Sequence, residues 1–263
     1  MTKKQYKYIY GPVPSWRLGS SLGIDPINSK SKACTFSCLY CQLGKAVDYR
    51  LERKVFVEIS DLEQELATVG KVYIDYITFS GTGEPTLAAN LGEMIKMARS
   101  MRQEKIAVLT NSSLLYRKDV RQELLLADYV SVKLDASSQN TFKLINRPAP
   151  GIEYENILEG IRKFRNEYSG KFALQIMFIE ANKNEAAGLA ELAAGIGPDE
   201  IQINTPLRPC QTKPLGKEEI GDIKSCFCRI VKNNVDVVTV FEGMHKKVAP
   251  ISSEDTLRRR GKI

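Results

Sequence analysis

Three cysteines stand within eight residues, Cys34-Thr35-Phe36-Ser37-Cys38-Leu39-Tyr40-Cys41, with the spacing C-x3-C-x2-C. Thiolates this close can wrap one small cluster. A four-iron cube takes one thiolate per iron, so three cysteines leave one iron without a protein ligand. An open metal position is what a catalytic site needs, whereas structural sites are closed. The competing readings are a structural zinc with a fourth ligand from elsewhere, and a non-catalytic iron–sulfur or zinc sensor. Zinc ligands usually come as a C-x2-C pair with a second distant pair, and neither that pair nor a nearby His is present.

The remaining candidates are few. Of six Cys, the other three are Cys210, Cys226 and Cys228. They could seat a second metal. Cys226 and Cys228 lie two apart on an expected helix and so face different directions. Buried small hydrophobes are the expected role. The single His, His245, is the one possible base for a Ser-His-Asp relay, has no nucleophile elbow to serve, and reads as a surface residue. Trp16 and Tyr8 could stack on a base, but a packed N-terminal arm is the expectation.

Glycines at Ser80-Gly81-Thr82-Gly83-Glu84-Pro85 let backbone approach a ligand closely, or mark an ordinary β-to-α turn. Asn111, in Thr110-Asn111-Ser112, can bond a ligand or cap a helix. Ser131, Lys133 and Asp135 alternate and so face one way. A Lys pointing into a barrel is costly unless it meets an anion. With the opposite register it faces solvent. Gln202 and Asn204 alternate in the same manner.

These residues must be positioned by a scaffold. The chain has 263 residues, 43% apolar and 26% charged, which suits one large domain with a substantial core. Strands are expected at 21–27, 72–79, 106–109, 129–134, 172–179, 200–203 and 235–241. Helices are expected at 58–69, 90–102, 118–127, 154–168, 185–194 and 218–232. Six β-then-α units imply an α/β fold with a parallel sheet and right-handed crossovers. Periodicity alone leaves a partial barrel and a doubly wound sheet open. In both, ligands sit at the carboxyl ends of strands, where the candidate residues fall.

Lys plus Arg is 38 and Asp plus Glu 31, a net charge of +7. That suits a nucleic acid, an anionic small molecule, or solubility alone. The end clusters Lys3, Lys4 and Lys7, and Arg258, Arg259, Arg260 and Lys262, read as solvated tails. Residues 1–245 are expected to form the core domain and 246–263 a basic C-terminal tail. No apolar run approaches the ~18 residues of a membrane span, and no apolar signal core follows Met1–Lys7. The expectation is a cytoplasmic protein without a membrane partner, whose clustered thiols serve metal or redox chemistry rather than a disulfide.

The cysteine spacing, with Tyr40 just before the last Cys, resembles the radical S-adenosylmethionine (SAM) superfamily. The resemblance implies a partial (β/α)6 TIM-like barrel. It implies a [4Fe–4S] cluster on Cys34, Cys38 and Cys41, with SAM chelating the open iron through its amino and carboxylate groups. One electron then cleaves the sulfonium to a 5′-deoxyadenosyl radical, which takes a hydrogen from substrate. The segment Gly81-Thr82-Gly83-Glu84-Pro85 resembles the family's Gly-Gly-Glu-Pro, which meets the SAM amino group. Asn111 matches Thr-Asn-Gly, and Lys133 the Asp-x-Lys strand of glycyl-radical activating enzymes. Tyr40 is implied near the adenine, and Asn204 at adenine or ribose.

A narrower likeness runs from Tyr10 to Pro209. It is carried by Tyr10-Gly11-Pro12-Val13-Pro14-Ser15-Trp16-Arg17-Leu18-Gly19, by Cys38-Leu39-Tyr40-Cys41-Gln42-Leu43-Gly44 and by Asn204-Thr205-Pro206-Leu207-Arg208-Pro209. These resemble a branch near the tRNA wyosine synthases, which implies a nucleotide or tRNA-related substrate. The extra cysteines of those enzymes are absent, since no Cys precedes Cys34, and so is a flavodoxin domain. The implied partner is a one-electron donor such as flavodoxin or ferredoxin. A glycyl-radical enzyme activase is the alternative enzyme.

Overall fold

The computed structural model describes residues 6–45, 48–49, 51–232, 234–243, 246–252 and 256–257. Lys3, Lys4, His245 and the basic residues Arg258, Arg259, Arg260 and Lys262 lie outside the described residues. The chain begins with strands β1 (Ile9–Ser15), β2 (Gly19–Ile24), β3 (Ala33–Cys34) and β4 (Asp48–Tyr49), then helix α1 (Ile59–Ala67). It continues through β5 (Tyr76–Phe79), α2 (Leu91–Met101), β6 (Lys105–Thr110), α3 (Lys118–Leu124), β7 (Tyr129–Lys133), α4 (Gln139–Asn146) and α5 (Tyr154–Glu167). Then follow β8 (Lys171–Met177), α6 (Ala186–Ile196), β9 (Glu200–Asn204), α7 (Lys217–Ile230) and β10 (Asp236–Thr239).

Eight strands form one curled sheet in the order β1-β2-β5-β6-β7-β8-β9-β10. From β2 to β10 every neighbour is parallel, and β1 adds an antiparallel edge. The fold is α/β, a partial (β/α)6 barrel. Alternation gives each strand two faces. One face, such as Ile77 and Phe79 on β5 or Phe172, Leu174 and Ile176 on β8, is fully buried in the main hydrophobic core. The helices answer with apolar stripes: α5 buries Ile157, Leu158, Ile161 and Phe164, each contributing about 1.5–3 kcal/mol.

The other face looks inward and is small or polar. Ser21, Thr78, Gln175 and Asn204 line a cavity of about 540 Å³. Its floor is plugged at the amino ends of the strands. There Tyr129 packs with Leu18, Ala107 and Ala173, and its hydroxyl donates to Glu200 Oε1 at 3.0 Å.

A half-barrel leaves a lateral seam, which β1 with its following turn and the described residues after β10 cover. The β1–β2 turn carries Trp16 against Gly243, just past β10, where an added Cβ would stand 2.4 Å from Trp16 Cβ. Lys246 Nζ reaches Asp75 Oδ2, before β5, at 2.7 Å. Ile251 N donates to Gly11 O at 2.6 Å, and Gly11 N to Thr256 Oγ1 at 2.9 Å.

β2, expected at 21–27, ends at Ile24 rather than Ile27, because the Asp25 carboxylate accepts from Ile27 N and Asn28 N and turns the chain. β1 was not expected: Pro12 and Pro14 argue against a strand interior, and an edge strand with a register shift between Tyr10 and Val13 tolerates them. The helix α4 was not expected either, since only Phe142, Ile145 and Asn146 of its eight residues are buried. Cys226 is half-buried and Cys228 exposed, not the buried small hydrophobes expected. The buried stripe of α7 is Ile220, Ile223 and Phe227, and both cysteines flank it.

Candidate active site

The cysteine loop leaves the carboxyl end of β2 and is held by two neighbouring strand ends and one helix end. The first tie is to the glycine segment after β5. Ala33 N donates to Thr82 O at 3.2 Å, and Glu84 N to Ala33 O at 3.1 Å. A Cβ on Gly83 would lie 1.8 Å from Ala33 O, so this approach requires glycine. Thr82 is fixed from behind, its N and Oγ1 donating to Asp25 Oδ2 at 3.2 and 3.0 Å.

The second tie comes from the end of β6. Asn111 Nδ2 donates to Thr35 Oγ1 at 2.7 Å and to Cys34 Sγ at 3.5 Å. Ser112 stands in left-handed backbone at φ 72°, where glycine is the easier occupant. Its hydroxyl bonds the Lys133 backbone on both sides, accepting from N at 2.8 Å and donating to O at 2.9 Å. The third tie is α4, whose Asn146 Nδ2 donates to Cys38 Sγ at 3.5 Å.

Cys34 and Cys38 are buried and Cys41 half-buried. Burial pushes the Cys34 thiol up to about 12 and raises that of Cys38. Buried Lys32 lies among them. Burial lowers its ammonium, but the fields of Cys41, Cys34 and Cys38 outweigh this and leave it above its ordinary value. The set fits an iron–sulfur cluster: thiolates are the ligands such clusters take, and N–H donors to sulfur are how a protein tunes them. Among the described residues, no three His, Cys, Asp or Glu side chains gather tightly enough to share one metal ion.

Behind Tyr40 lies a polar hub. Its hydroxyl donates to Asp135 Oδ2, which also accepts from Asn146 Nδ2 at 2.8 Å. Asp135 Oδ1 accepts from Met177 N at 2.8 Å and faces Lys133 Nζ at 3.3 Å. Lys133 Nζ sits 4.6 Å from the Tyr40 ring centre. Burial, then the Asp135 charge, raise the Tyr40 phenol well above its ordinary range.

Of the residues singled out in the sequence, Tyr40, Gly81 and Asn204 line the large cavity. Asn111 and Lys133 face a small pocket behind the cysteine loop. Thr82 and Gly83 form the junction with Ala33, and Pro85 is buried. Glu84 is turned away from the cavity. Its carboxylate accepts from Thr86 N and Oγ1, Thr110 Oγ1 and Asn111 N, at 3.1, 2.7, 2.6 and 2.7 Å. It is a brace between two strand ends. Asn146 and Lys32 were not marked in the sequence, and Asp135 was marked only as facing the same way as Lys133. Asn146 belongs to the unexpected α4, while Asp135's alternation with Lys133 was the available signal.

Glu84→Gln is expected to cost about 2–4 kcal/mol, since charge-assisted bonds are worth about 1.5–3 kcal/mol each and one amide keeps only part of the set. Urea midpoints will measure it. Burial raises the Glu84 carboxyl despite these donors. The folded protein therefore takes up this proton before the unfolded chain does as pH falls. The wild-type margin over Glu84→Gln should widen on acidification from neutrality toward 4.5, the ordinary value.

The model of the Radical SAM superfamily matches residues 28–193. A UPF0026 protein of Synechocystis is 44% identical over 81% of this chain and 79% of its own. A protein named as a probable GTP 3′,8-cyclase, of Saccharolobus solfataricus, is 26% identical over 82% of this chain and 65% of its own. Among solved structures, Streptococcus suis SuiB bound to S-adenosylmethionine aligns with a TM-score of 0.61 at 14% identity, over 80% of this chain. The chain spans about half that structure's length, 48%, and the likeness shows the fold.

Proposed function

The chain belongs to the radical SAM superfamily, and from that premise we propose that it cleaves SAM reductively and acts on a nucleotide or tRNA-related substrate. Members of the family bind a [4Fe–4S] cluster and SAM and need a reductant. The observation that carries the reading is the placing of Cys34, Cys38 and Cys41 on one loop at the carboxyl edge of the sheet, tied to the glycine segment and with Asn111 and Asn146 donating to the Cys34 and Cys38 sulfurs, beside a cavity.

Cys34, Cys38 and Cys41 would hold the cluster, which supplies the single electron for cleavage of the sulfonium to a 5′-deoxyadenosyl radical. The backbone of Gly81, Thr82 and Gly83 would meet the SAM amino group, with Glu84 and Pro85 fixing that turn from behind. Asn111 and Lys133 would orient its carboxylate, Tyr40 would pack near the adenine, and Asn204 would bond adenine or ribose. The closed seam and walls would keep water from a reactive carbon radical. This chemistry is assigned to residues 1–245, with 246–263 as a basic extension whose Lys246, Ile251 and Thr256 hold the seam. A small donor such as flavodoxin or ferredoxin would deliver the electron, in a cytoplasmic setting where thiols stay reduced. No described helix is long and apolar enough to cross a membrane.

A nucleotide-type substrate draws support from the named cyclase relative, from the +7 net charge and from the likeness at Tyr10–Gly19. The relatives reported above are UPF0026 and cyclase-named proteins rather than wyosine synthases, so the base and reaction are left at that class. The test is anaerobic reconstitution with iron and sulfide, then dithionite and SAM, with chromatography for 5′-deoxyadenosine. Product is expected, and added tRNA should bind with affinity that falls steeply with salt. Tightly held zinc with no cluster would overturn the reading.

A further inference from the structure

At the foot of the cavity one charge is unanswered. Arg17 lies in the turn between β1 and β2, at the amino end of β2, while the cysteine loop leaves the carboxyl end. The six residues of β2 put about 20 Å between those ends, at about 3.3 Å per residue. Arg17 lines the cavity, and its Nε is fully buried without a hydrogen-bond partner. Among the described residues its guanidinium has no ion pair. Its neighbour is the Trp16 ring, whose centre is 5.4 Å from Cζ.

The nearby carboxylate is already occupied. Glu200 and Tyr129 act on Arg17 through their fields. Yet Glu200 Oε2 pairs with Lys171 Nζ at 2.5 Å, and Oε1 accepts from Tyr129 OH at 3.0 Å and Gln202 Nε2 at 2.5 Å. Cavity hydroxyls are likewise paired: Ser21 Oγ with Thr78 Oγ1, and Tyr10 OH with Ser80 Oγ, both at 2.7 Å. Arg17 is half-buried, with Nε withdrawn from water and no partner made; leaving that N–H unpaired is unfavourable, and the fork of N–H donors facing the cavity is shaped for an oxyanion.

We propose that Arg17 determines substrate specificity by receiving an oxyanion, a carboxylate or a phosphate, at the far end of a small polar substrate. The span from that anion then sets which carbon is presented at the cysteine end. The second half of this inference rests on the radical SAM reading; the anion site itself does not. A cavity of about 540 Å³ is of small-molecule size, about 300–1,000 Å³, so a larger substrate would enter by one anionic unit only.

Trp16 is the single tryptophan of the chain, so its emission reports on the surroundings of Arg17. The anaerobically reconstituted full chain is titrated with inorganic pyrophosphate and, separately, with succinate. A saturable Trp16 response is expected to one of them, pyrophosphate assigning a phosphate and succinate a carboxylate. The Kd should weaken at least tenfold in Arg17→Gln and be partly kept in Arg17→Lys. Arg17→Gln should melt at or above the wild-type temperature, because an unpaired charge has been removed. No response to either probe in the wild type, an unchanged Kd in Arg17→Gln, or a lowered melting temperature would each overturn the proposal. Absence of SAM cleavage with Arg17-dependent anion binding intact would overturn only the enzymatic reading.

Discussion

Cys38→Ala, reconstituted beside the wild type, is expected to yield 5′-deoxyadenosine only at background. Cys38 is one of three thiols in the candidate cluster site, and an iron–sulfur cube that already lacks a fourth protein thiolate has none to spare. The loss should appear as lower iron content and a bleached charge-transfer band, not only as lost turnover. Asn146→Ala sharpens the test. It removes the N–H that donates to Cys38 Sγ at 3.5 Å and to Asp135 Oδ2 at 2.8 Å. Neighbours that orient a metal ligand typically matter by about 10–100-fold. Partial iron with turnover in that range identifies α4 as support for the cluster. Full product from Cys38→Ala would refute the cysteine assignment.

Gly83→Ala is expected to be the most disruptive glycine-to-alanine change among the described residues. The new Cβ would stand 1.8 Å from Ala33 O and 2.8 Å from Ala33 C, both backbone atoms that no rotamer can move. Relief requires parting the glycine segment from the strand that bears Cys34, with loss of the bonds at 3.2 and 3.1 Å. Overpacking at about 1–3 kcal/mol and two hydrogen bonds at about 1 kcal/mol each predict a loss of about 3–5 kcal/mol. Cluster loading should fall with it, because Cys34 loses its backrest. Gly195→Ala is the control. Nothing lies within 4 Å of a Cβ there, and in the last turn of α6 alanine should stabilise by up to about 0.5–1 kcal/mol. Urea midpoints and iron content of the two variants make the comparison.

Much of this was legible in the residues. The alternation along Tyr129–Lys133 and Glu200–Asn204 placed both strands to within a residue or two, because burial on one face and polarity on the other leave little choice of register. The cysteine spacing pointed to the cluster, since few other structures demand three thiols in eight residues. What was not legible depends on partners distant in sequence. Glu84 reads as a ligand-facing acid until the donors from Thr110 and Asn111 are seen to close over it. Nothing local marks Asn146, which matters because α4 ends beside the cysteine loop. Arg17 looks like one more basic residue near a tryptophan until the sheet curls around it.

The seam carries a consequence for the order of assembly. The bond from Gly11 N to Thr256 Oγ1 joins residues 245 positions apart. Holding so long a loop closed adds little equilibrium cost, since that term grows only with the logarithm of length, but it slows folding through high contact order. At about 5–20 residues per second, a ribosome spends roughly 12–50 seconds making the intervening chain. During that time the cysteine loop, β5 and β6 exist while the segment that shuts the barrel does not. The nascent half-barrel therefore presents its polar inner face before it can enclose anything, and closure waits until Thr256 has been made.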